Sequence, residues 1–170
     1  MRQTGFDPVY YLVFPAGEIL HAKLSLPQFL ANLKLDGFHP RVLSMTKVLN
    51  DWFRSHKLRA AWQDGLRDAD NDKRVFRTTF SEKLDKEKVV VGAIRAELEK
   101  LRADPHGLLI ITDVEALHPF LHISGIEQQL TGEFHIPTLV LYPGLRGGSH
   151  SLRFLGVHKE NGNYRSIHIG

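Results

Sequence analysis

The stretch LLIITDVEALHPF, residues 108–120, decides the fold class of this chain. Its apolar run, residues 108–112, is typical of a strand that is buried on both faces of a parallel sheet. Asp113 and Glu115 follow directly, and in many nucleotide-hydrolysing domains a carboxylate at this place holds magnesium or polarises a water. The alternative is that Asp113 caps the following turn or hydrogen-bonds within the crevice, because aspartate is a favoured cap residue at the end of a strand.

Five further segments have the composition of strands. They are rich in β-branched, aromatic and leucine residues, and turn-forming residues bound them. They are residues 9–14 (VYYLVF), 41–45 (RVLSM), 136–142 (IPTLVLY), 152–157 and 164–169. The last two flank KENGN, whose Asn161-Gly162 pair predicts a reverse turn. We therefore expect these two to form an antiparallel hairpin at an edge of the sheet.

Segments with helical spacing of apolar residues separate the strands. Residues 48–58 form one of them, and residues 59–75 are polar enough to be a broken helix or an exposed excursion, with Trp62 as its anchor in the core. A hydroxyl residue followed three positions later by Gln or Glu marks three more helix starts. These are Ser25 with Gln28 before a helix that ends at Gly37, Thr79 with Glu82 before a long helix to about residue 102, and Ser124 with Glu127 before a short helix that ends near Gly132.

The repeated order of strand and helix predicts an α/β fold. We expect a mostly parallel, doubly wound sheet of the Rossmann-like or P-loop-like kind, with right-handed crossovers, helices on both faces and a C-terminal antiparallel hairpin. No linker or internal repeat divides the chain, so residues 1–170 are predicted to form a single domain.

Composition excludes several classes of function. The 170 residues contain no cysteine, which excludes disulfides, thiolate zinc sites and cysteine nucleophiles and fits a reducing compartment. No apolar run reaches the roughly 18 residues that a membrane span needs, and the N-terminus lacks the layout of a secretory signal, so a cytoplasmic protein is expected. The net charge of +3 arises from 22 basic and 19 acidic residues, which permits contact with nucleic acid without indicating it.

The chain lacks the motifs that bind phosphate or metal. Neither the P-loop (Walker A) pattern nor Gly-x-Gly-x-x-Gly occurs, and the glycines of PGLRGGSH, residues 143–150, are better explained by a turn than by an anion cradle. His118 and His122 are four residues apart, but Pro119 interrupts them and no third ligand is evident. No catalytic residue, metal site or cofactor is therefore predicted.

Five residues are candidates for binding a ligand or a partner: Asp113, Glu115, Arg146, Tyr164 and Arg165. If the protein binds a nucleotide or nucleic acid, Asp113 would hold magnesium, Arg146 would neutralise phosphate and Tyr164 would stack on a base. That alternative function includes a weak magnesium-dependent hydrolase that uses the crevice at Asp113. For the basic C-terminal strands, the simpler interpretation is a solvated sheet edge.

Residues 108–170 resemble the BrxB family of bacterial BREX phage-defence systems, long catalogued as a domain of unknown function. The resemblance lies in the order of IITDVEALHPF, IEQQL, IPTLVLYPG, SLRFLG and GNYRSIHIG. Before residue 108 it lies mainly in the order of elements, with YYLVF in the place of the family's first strand. Family members often carry a helix ahead of that strand, so we expect this helix to be missing here or the start site to be altered.

The resemblance implies a small component of a multi-protein defence system. Its neighbours would be a PglZ-type alkaline-phosphatase-like protein, a large ATPase and a PglX-type adenine methyltransferase. BrxB-like proteins have no established enzymatic activity, and a role in assembly or docking is implied, with the PglZ-type protein as the leading partner. We accordingly expect a non-enzymatic interaction component, with the edge strand and residues 59–75 as its first candidate surfaces.

Overall fold

A computed structural model describes residues 7–67, 73–148, 151–155, 161–162 and 167–169. Two short 3-10 helices, Ala16–Glu18 and Val114–Leu117, accompany the longer elements. The strands are β1 (Val9–Phe14), β2 (His39–Ser44), β3 (Gly107–Thr112), β4 (Thr138–Gly148), β5 (Ser151–Phe154), β6 (Asn161–Gly162) and β7 (Ile167–Ile169). The helices are α1 (Ile19–Leu35), α2 (Met45–Ser55), α3 (Arg59–Arg67), α4 (Lys73–Lys86), α5 (Val89–Leu101) and α6 (Ile123–Gln129).

Five strands form a parallel sheet in the order β2-β3-β4-β1-β7. From β1 the chain crosses by way of α1 to the far edge at β2, and it then returns through β3 to β4. The outer half of β4 pairs with β5 in an antiparallel arrangement, and β5 pairs with β6. The sheet is not closed into a barrel, and the predicted α/β class with a mostly parallel sheet is confirmed.

The two faces of the sheet are covered unequally. Every residue of β3 is buried, as the apolar run at residues 108–112 predicted. Leu109 and Ile111 belong to the larger core, which contains the buried residues of α2 to α6, whereas Leu108 and Ile110 belong to a smaller core whose only helical contributions, within the described ranges, come from α1. Alternate residues of a strand point to opposite faces, so α1 lies on one face and the other five helices lie on the opposite face.

Helix α1 begins earlier than predicted. Its first residue is Ile19, so Ser25 and Gln28 form no capping box and Pro27 lies inside the helix. An internal proline costs about 3 kcal/mol, but the inner face of α1 packs four large side chains on the sheet: Leu26, Phe29, Leu30 and Leu33. Tertiary packing therefore outweighs the local preference. Gly37, at φ 85°, follows the helix end as predicted.

The long helix predicted from Thr79 to about residue 102 is wrong in one respect: it is two helices. Thr79 lies inside α4, and the break falls at Glu87 and Lys88, where Lys88 has a left-handed φ of 52°. Contacts outside the helix hold this break. Glu87 accepts hydrogen bonds from Trp52 and His56, and Lys88 Nζ lies 2.9 Å from Gln129 Oε1. The buried stripe predicted for residues 90–101 is present in α5.

An antiparallel pair near the C-terminus exists and is formed by β4 and β5. Of the predicted hairpin, residues 156–157 and 164–166 lie outside the described residues, and the described parts of its two strands pair with other strands. Residues 143–148 extend β4 instead of forming a turn. Gly144 permits this, because a Cβ there would lie 2.5 Å from the Arg153 carbonyl oxygen. Asn161-Gly162 pairs with β5 in place of turning, and Ile167–Ile169 lies parallel to β1. The pairing of these strands is decided by contacts between segments that are distant in sequence, and turn-forming residues within one segment do not predict it.

Candidate functional site

The candidate site lies at the carboxyl ends of β1, β2 and β3, where parallel sheets of this kind bind ligands. Asp113 directly follows β3 and adopts a left-handed φ of 58° before the 3-10 helix Val114–Leu117. Its side chain forms no capping hydrogen bond with that helix. It points instead into the crevice, so the capping alternative is wrong and the alternative of hydrogen bonds within the crevice describes Asp113 correctly.

Three side chains satisfy the Asp113 carboxylate. Lys23 Nζ lies 2.8 Å from one oxygen, and the other accepts hydrogen bonds from Ser44 Oγ at 2.5 Å and Thr112 Oγ1 at 3.1 Å. The same Lys23 ammonium lies 2.7 Å from Glu115 Oε1. One cation therefore bridges the two predicted carboxylates from the opposite side of the crevice.

Sequence reasoning missed Lys23 and Ser44. Lys23 precedes the predicted start of the first helix, so no helical face was assigned to it. Ser44 ends β2 and also caps α2 by accepting a hydrogen bond from the Lys47 N–H. The signal that could have found Ser44 was its place at the end of a parallel strand, beside the end of β3. No local pattern marks Lys23, which is 90 residues from Asp113 in the chain.

The electrostatic balance keeps Asp113 ionised. Burial raises the pKa of Asp113, but the hydrogen bonds from Lys23 and Ser44, together with the Lys23 charge, outweigh it, so that the pKa lies below its ordinary value. The pKa of Lys23 is raised, chiefly by its hydrogen bonds to Asp113 and then to Glu115. The site consequently contains a lysine ammonium where a nucleotide site would place its metal ion.

The crevice beside this cluster is small. Its volume is about 140 Å³, and small-molecule sites usually measure about 300–1,000 Å³. Its walls are largely apolar and consist of Phe14, Ile19, Ala22, Leu26 and Leu141, with Lys23, Thr112, Asp113 and Glu115 at the polar end. Within the described ranges, no group of three or more His, Asp or Glu side chains has the arrangement of a metal site.

Of the five predicted binding residues, the three that the structure describes do not converge. Asp113 and Glu115 share Lys23, but Arg146 lies on β4 five residues beyond Leu141, after roughly 16 Å of extended strand. Arg146 is exposed, and no described contact joins it to either carboxylate. Tyr164 and Arg165 lie outside the described residues.

A second surface is formed by the β4–β5 hairpin. Leu145 is 46% exposed and is paired with Arg153, which is also exposed. Paired residues of antiparallel strands share a face, so an apolar and a cationic side chain stand together here. Leu152 of the same hairpin is fully buried and anchors it to the core. We call Leu145 and Arg153 the hairpin surface. Arg146 pairs with Leu152 and does not share this face.

Replacing Lys23 with methionine is expected to lower the free energy of unfolding by about 1–2 kcal/mol at pH 7, because the two carboxylates lose their common partner. Lys23 is 48% exposed, so solvent screening keeps the effect below that of a buried pair. Urea unfolding of wild type and variant measures it. The exposed Lys86→Met, in α4, is the matched control and should change stability by less than about 0.5 kcal/mol.

The pH dependence has a defined sign. A lowered Asp113 pKa contributes stability that is present above the unfolded value of about 4 and is lost as the pH falls through the folded value. The difference between wild type and Lys23→Met should therefore be largest near pH 7 and shrink below about pH 4. A difference that is constant down to pH 2 would show that Lys23 acts through packing alone.

Comparison with known proteins gives a match to a protein family. The family model described as BREX protein BrxB matches residues 43–169, which is most of the chain and includes Asp113, Glu115 and the hairpin surface. No curated protein and no solved structure matches the chain significantly. Strand β1 and helix α1 precede the matched region. Among the helices of the described ranges, none is both long and apolar enough to cross a membrane.

Proposed function

Since the chain belongs to the BrxB family of BREX phage-defence proteins, we propose that it is a non-catalytic assembly component that docks a PglZ-type phosphatase-like protein. Membership of the family makes the chain a component of a BREX system, and other BREX proteins are its natural partners. The PglZ-type protein is the first partner to test, with the ATPase and the methyltransferase after it.

The internal ion pair at Lys23 is the observation that carries this proposal. A nucleotide hydrolase needs its strand-end carboxylates available for magnesium or water. Here Lys23 forms ion pairs with both Asp113 and Glu115 at distances below 3 Å, and the remaining crevice is smaller than a nucleotide requires. This arrangement supports a protein that has the fold of a nucleotide-binding domain but uses its outer surfaces to bind other proteins.

The hairpin surface is the proposed docking site. Interface centres are enriched in apolar side chains and arginine, and Leu145 combines high exposure with a neighbouring cation. The surface projects on β4 beyond the parallel sheet and is held by the buried Leu152. A partner with an apolar side chain beside a carboxylate fits these two features.

Capture of the PglZ-type protein tests the proposal. With the full chain immobilised at micromolar concentration, we expect Leu145→Glu to reduce recovery of that protein by about tenfold, because the variant places a charge at an apolar contact. Val75→Glu is the matched control, since Val75 is 61% exposed and lies on α4, outside the hairpin strands. It should bind as the wild type does.

Two results would contradict the proposal, one its docking function and the other its docking site. The first is that no BREX protein binds the wild-type chain in this assay. The second is that Leu145→Glu and Val75→Glu bind equally, which would leave a docking role but remove it from the hairpin surface. Circular dichroism of both variants confirms that each remains folded before capture is compared.

A nucleotide- or nucleic-acid-binding function is the second candidate, favoured by the position of Asp113 at the carboxyl ends of the parallel strands. Calorimetric titration with Mg·ATP, Mg·GTP and short DNA at low salt separates the two functions. Heat that depends on magnesium and vanishes in Asp113→Asn would favour the crevice. Binding of DNA that weakens steeply with salt would favour the basic C-terminal strands.

A further inference from the structure

Strand β2 forms one edge of the parallel sheet, and among the described residues its outer side has no partner strand. All its residues are exposed or half-buried, and Val42 is one of the exposed ones. The His39 N–H donates to the His106 carbonyl, so the backbone groups of His39 face the neighbouring strand β3. Because these groups alternate in direction along a strand, the N–H and C=O of Val42 point away from the sheet.

Pro40 agrees with this direction of the backbone. It lies two residues before Val42, and a strand tolerates proline where the nitrogen faces away from the neighbouring strand. The outer edge of β2 therefore offers the Pro40 carbonyl and both backbone groups of Val42 to an added strand. A row of such groups is the feature to which extended peptides bind by strand addition.

The side chains on the two faces of β2 differ in chemistry. Val42 lies opposite Ile110 and so shares the face that carries α1, and Pro40 lies on the same face. Arg41 lies on the other face, where its Nε is 2.6 Å from a carboxylate oxygen of Glu97 on α5. A strand added to β2 would thus meet apolar side chains on one face and a cation on the other.

The α5 face of this edge presents cations to the solvent. Lys100 Nζ lies 2.6 Å from the second carboxylate oxygen of Glu97, so one carboxylate holds two cations. The side chains of Arg41 and Lys100 are 46% and 55% exposed, whereas that of Glu97 is 13% exposed. The cations therefore cover the carboxylate. His39 is likewise more exposed than Asp104, its partner at 2.8 Å.

A depression at the beginning of β2 continues this cationic surface. Its volume is about 440 Å³, and Phe38 forms part of its apolar wall. Of the described residues, Lys34 from the last turn of α1 lines it together with Arg41 and Lys100, and Asp104 is the carboxylate among them. Three cations and one carboxylate favour an acidic group in this space.

We infer that the outer edge of β2 binds an extended segment of a partner protein in which acidic and apolar residues alternate. The segment's backbone pairs with Pro40 and Val42, and its carboxylates face Arg41 and Lys100. Its apolar side chains lie on the α1 face, because successive side chains of a strand point to opposite faces. A second copy of β2 does not fit this edge, since pairing two such strands would bring like charges together.

Binding of a synthetic peptide to the full chain tests the inference. The probe is a fluorescein-labelled peptide of about eight residues, the length of a strand, in which glutamate and valine alternate. Fluorescence anisotropy should give a dissociation constant of roughly 10–100 µM at low salt, and the affinity should fall as salt screens the exposed charges. A peptide with lysine in place of glutamate should bind at least about tenfold more weakly.

Val42→Pro tests the backbone pairing. It removes the outward N–H and should weaken binding of the glutamate peptide by at least about tenfold, while the strand tolerates proline at an outward position as it does at Pro40. Val42→Thr keeps the N–H and the branched shape, so it should bind within about threefold of the wild type. Circular dichroism shows that both variants are folded, and the Val42 amide of the wild type should gain protection from hydrogen exchange when the peptide binds.

Arg41→Glu tests the charge and should weaken binding of the glutamate peptide by at least about tenfold. The matched control is Arg95→Glu, because Arg95 Nε also lies 2.6 Å from a glutamate oxygen, that of Glu133. Arg95 belongs neither to β2 nor to the lining of the depression. Arg95→Glu should therefore bind the peptide as the wild type does.

Equal binding of the two peptides, or no binding of the glutamate peptide at about 1 mM, overturns the inference. A folded Val42→Pro variant that binds as the wild type does also overturns it. So does a dimer of the wild-type chain that Val42→Pro dissociates, because the edge would then belong to a second copy. Leu145→Glu should leave peptide binding unchanged, so the β2 edge and the hairpin surface can fail independently.

Discussion

Replacing Trp62 with alanine is expected to lower the free energy of unfolding by about 3–5 kcal/mol, the usual cost of removing a buried aromatic side chain. For a chain of this length, the melting temperature should fall by about 6–20 °C. Thermal and urea unfolding monitored by circular dichroism measure both quantities.

The reason lies in the position of Trp62 in an aromatic cluster. It is 7% exposed on α3, and four of the eight other residues of that helix are polar. Its ring centroid lies 4.6 Å from that of His56, the residue after α2, 5.6 Å from that of Trp52 in α2 and 5.3 Å from that of Phe80 in α4. One side chain therefore joins α3 to both α2 and α4. Its removal leaves a cavity and also detaches α3, because nothing else on α3 is buried.

Leu66→Ala is the matched control, since Leu66 lies on the same helix but is 42% exposed. This substitution should lower the free energy of unfolding by less than about 1 kcal/mol. Trp62→Phe should recover part of the loss, because a phenyl ring retains contact with Phe80 and His56. A loss below about 1 kcal/mol for Trp62→Ala would mean that α3 packs only weakly on the core.

Replacing Gly144 with alanine is expected to destabilise the protein by about 2–4 kcal/mol. The added Cβ would lie 2.5 Å from the Arg153 carbonyl oxygen and 2.6 Å from Tyr142 Cε1, which is closer than non-bonded atoms approach. Tyr142 is 1% exposed and cannot turn aside, so the β4–β5 pair must shift. Urea unfolding measures the decrease in the free energy of unfolding. Hydrogen exchange of the hairpin amides shows whether the destabilisation is located in the β4–β5 pair.

Gly92→Ala provides a control of opposite sign. Gly92 lies within α5, and a Cβ there meets nothing within 4 Å. Because glycine is a poor helix former, this substitution should stabilise the protein by about 0.5–1 kcal/mol. If Gly144→Ala proved as harmless, the close pairing of β4 with β5 at this point would be incorrect.

The two large predictions also separate folding from docking. Gly144→Ala disturbs the hairpin surface itself, so it should reduce capture of a BREX partner even at temperatures where the protein remains folded. Trp62→Ala acts on the packing of α3 against α2 and α4. At such temperatures it should bind normally, because Trp62 lies on α3 and belongs to neither strand of the hairpin.

The sequence by itself determined those parts of the fold that depend on local residue patterns. The unbroken apolar run of β3, the stripe of α5, the anchoring role of Trp62 and the stop at Gly37 all depend on neighbours along the chain. Periodicity reports which side chains share a face, and that is enough to predict a parallel α/β sheet. The order of segments over residues 108–170 likewise pointed to the BrxB family, and the match of the family model confirms it.

The tertiary structure alone decided the features that join distant segments. Lys23 meets Asp113 and Glu115 across about 90 residues, and this contact changes an apparent metal site into an internal ion pair. The pairing of β4 with β5 and of β7 with β1 replaced the hairpin that Asn161-Gly162 suggested. Local propensity contributes a few tenths of a kcal/mol per residue, whereas packing a strand or a helix against the core contributes several kcal/mol. Long-range contacts therefore decide the structure wherever they conflict with local propensity.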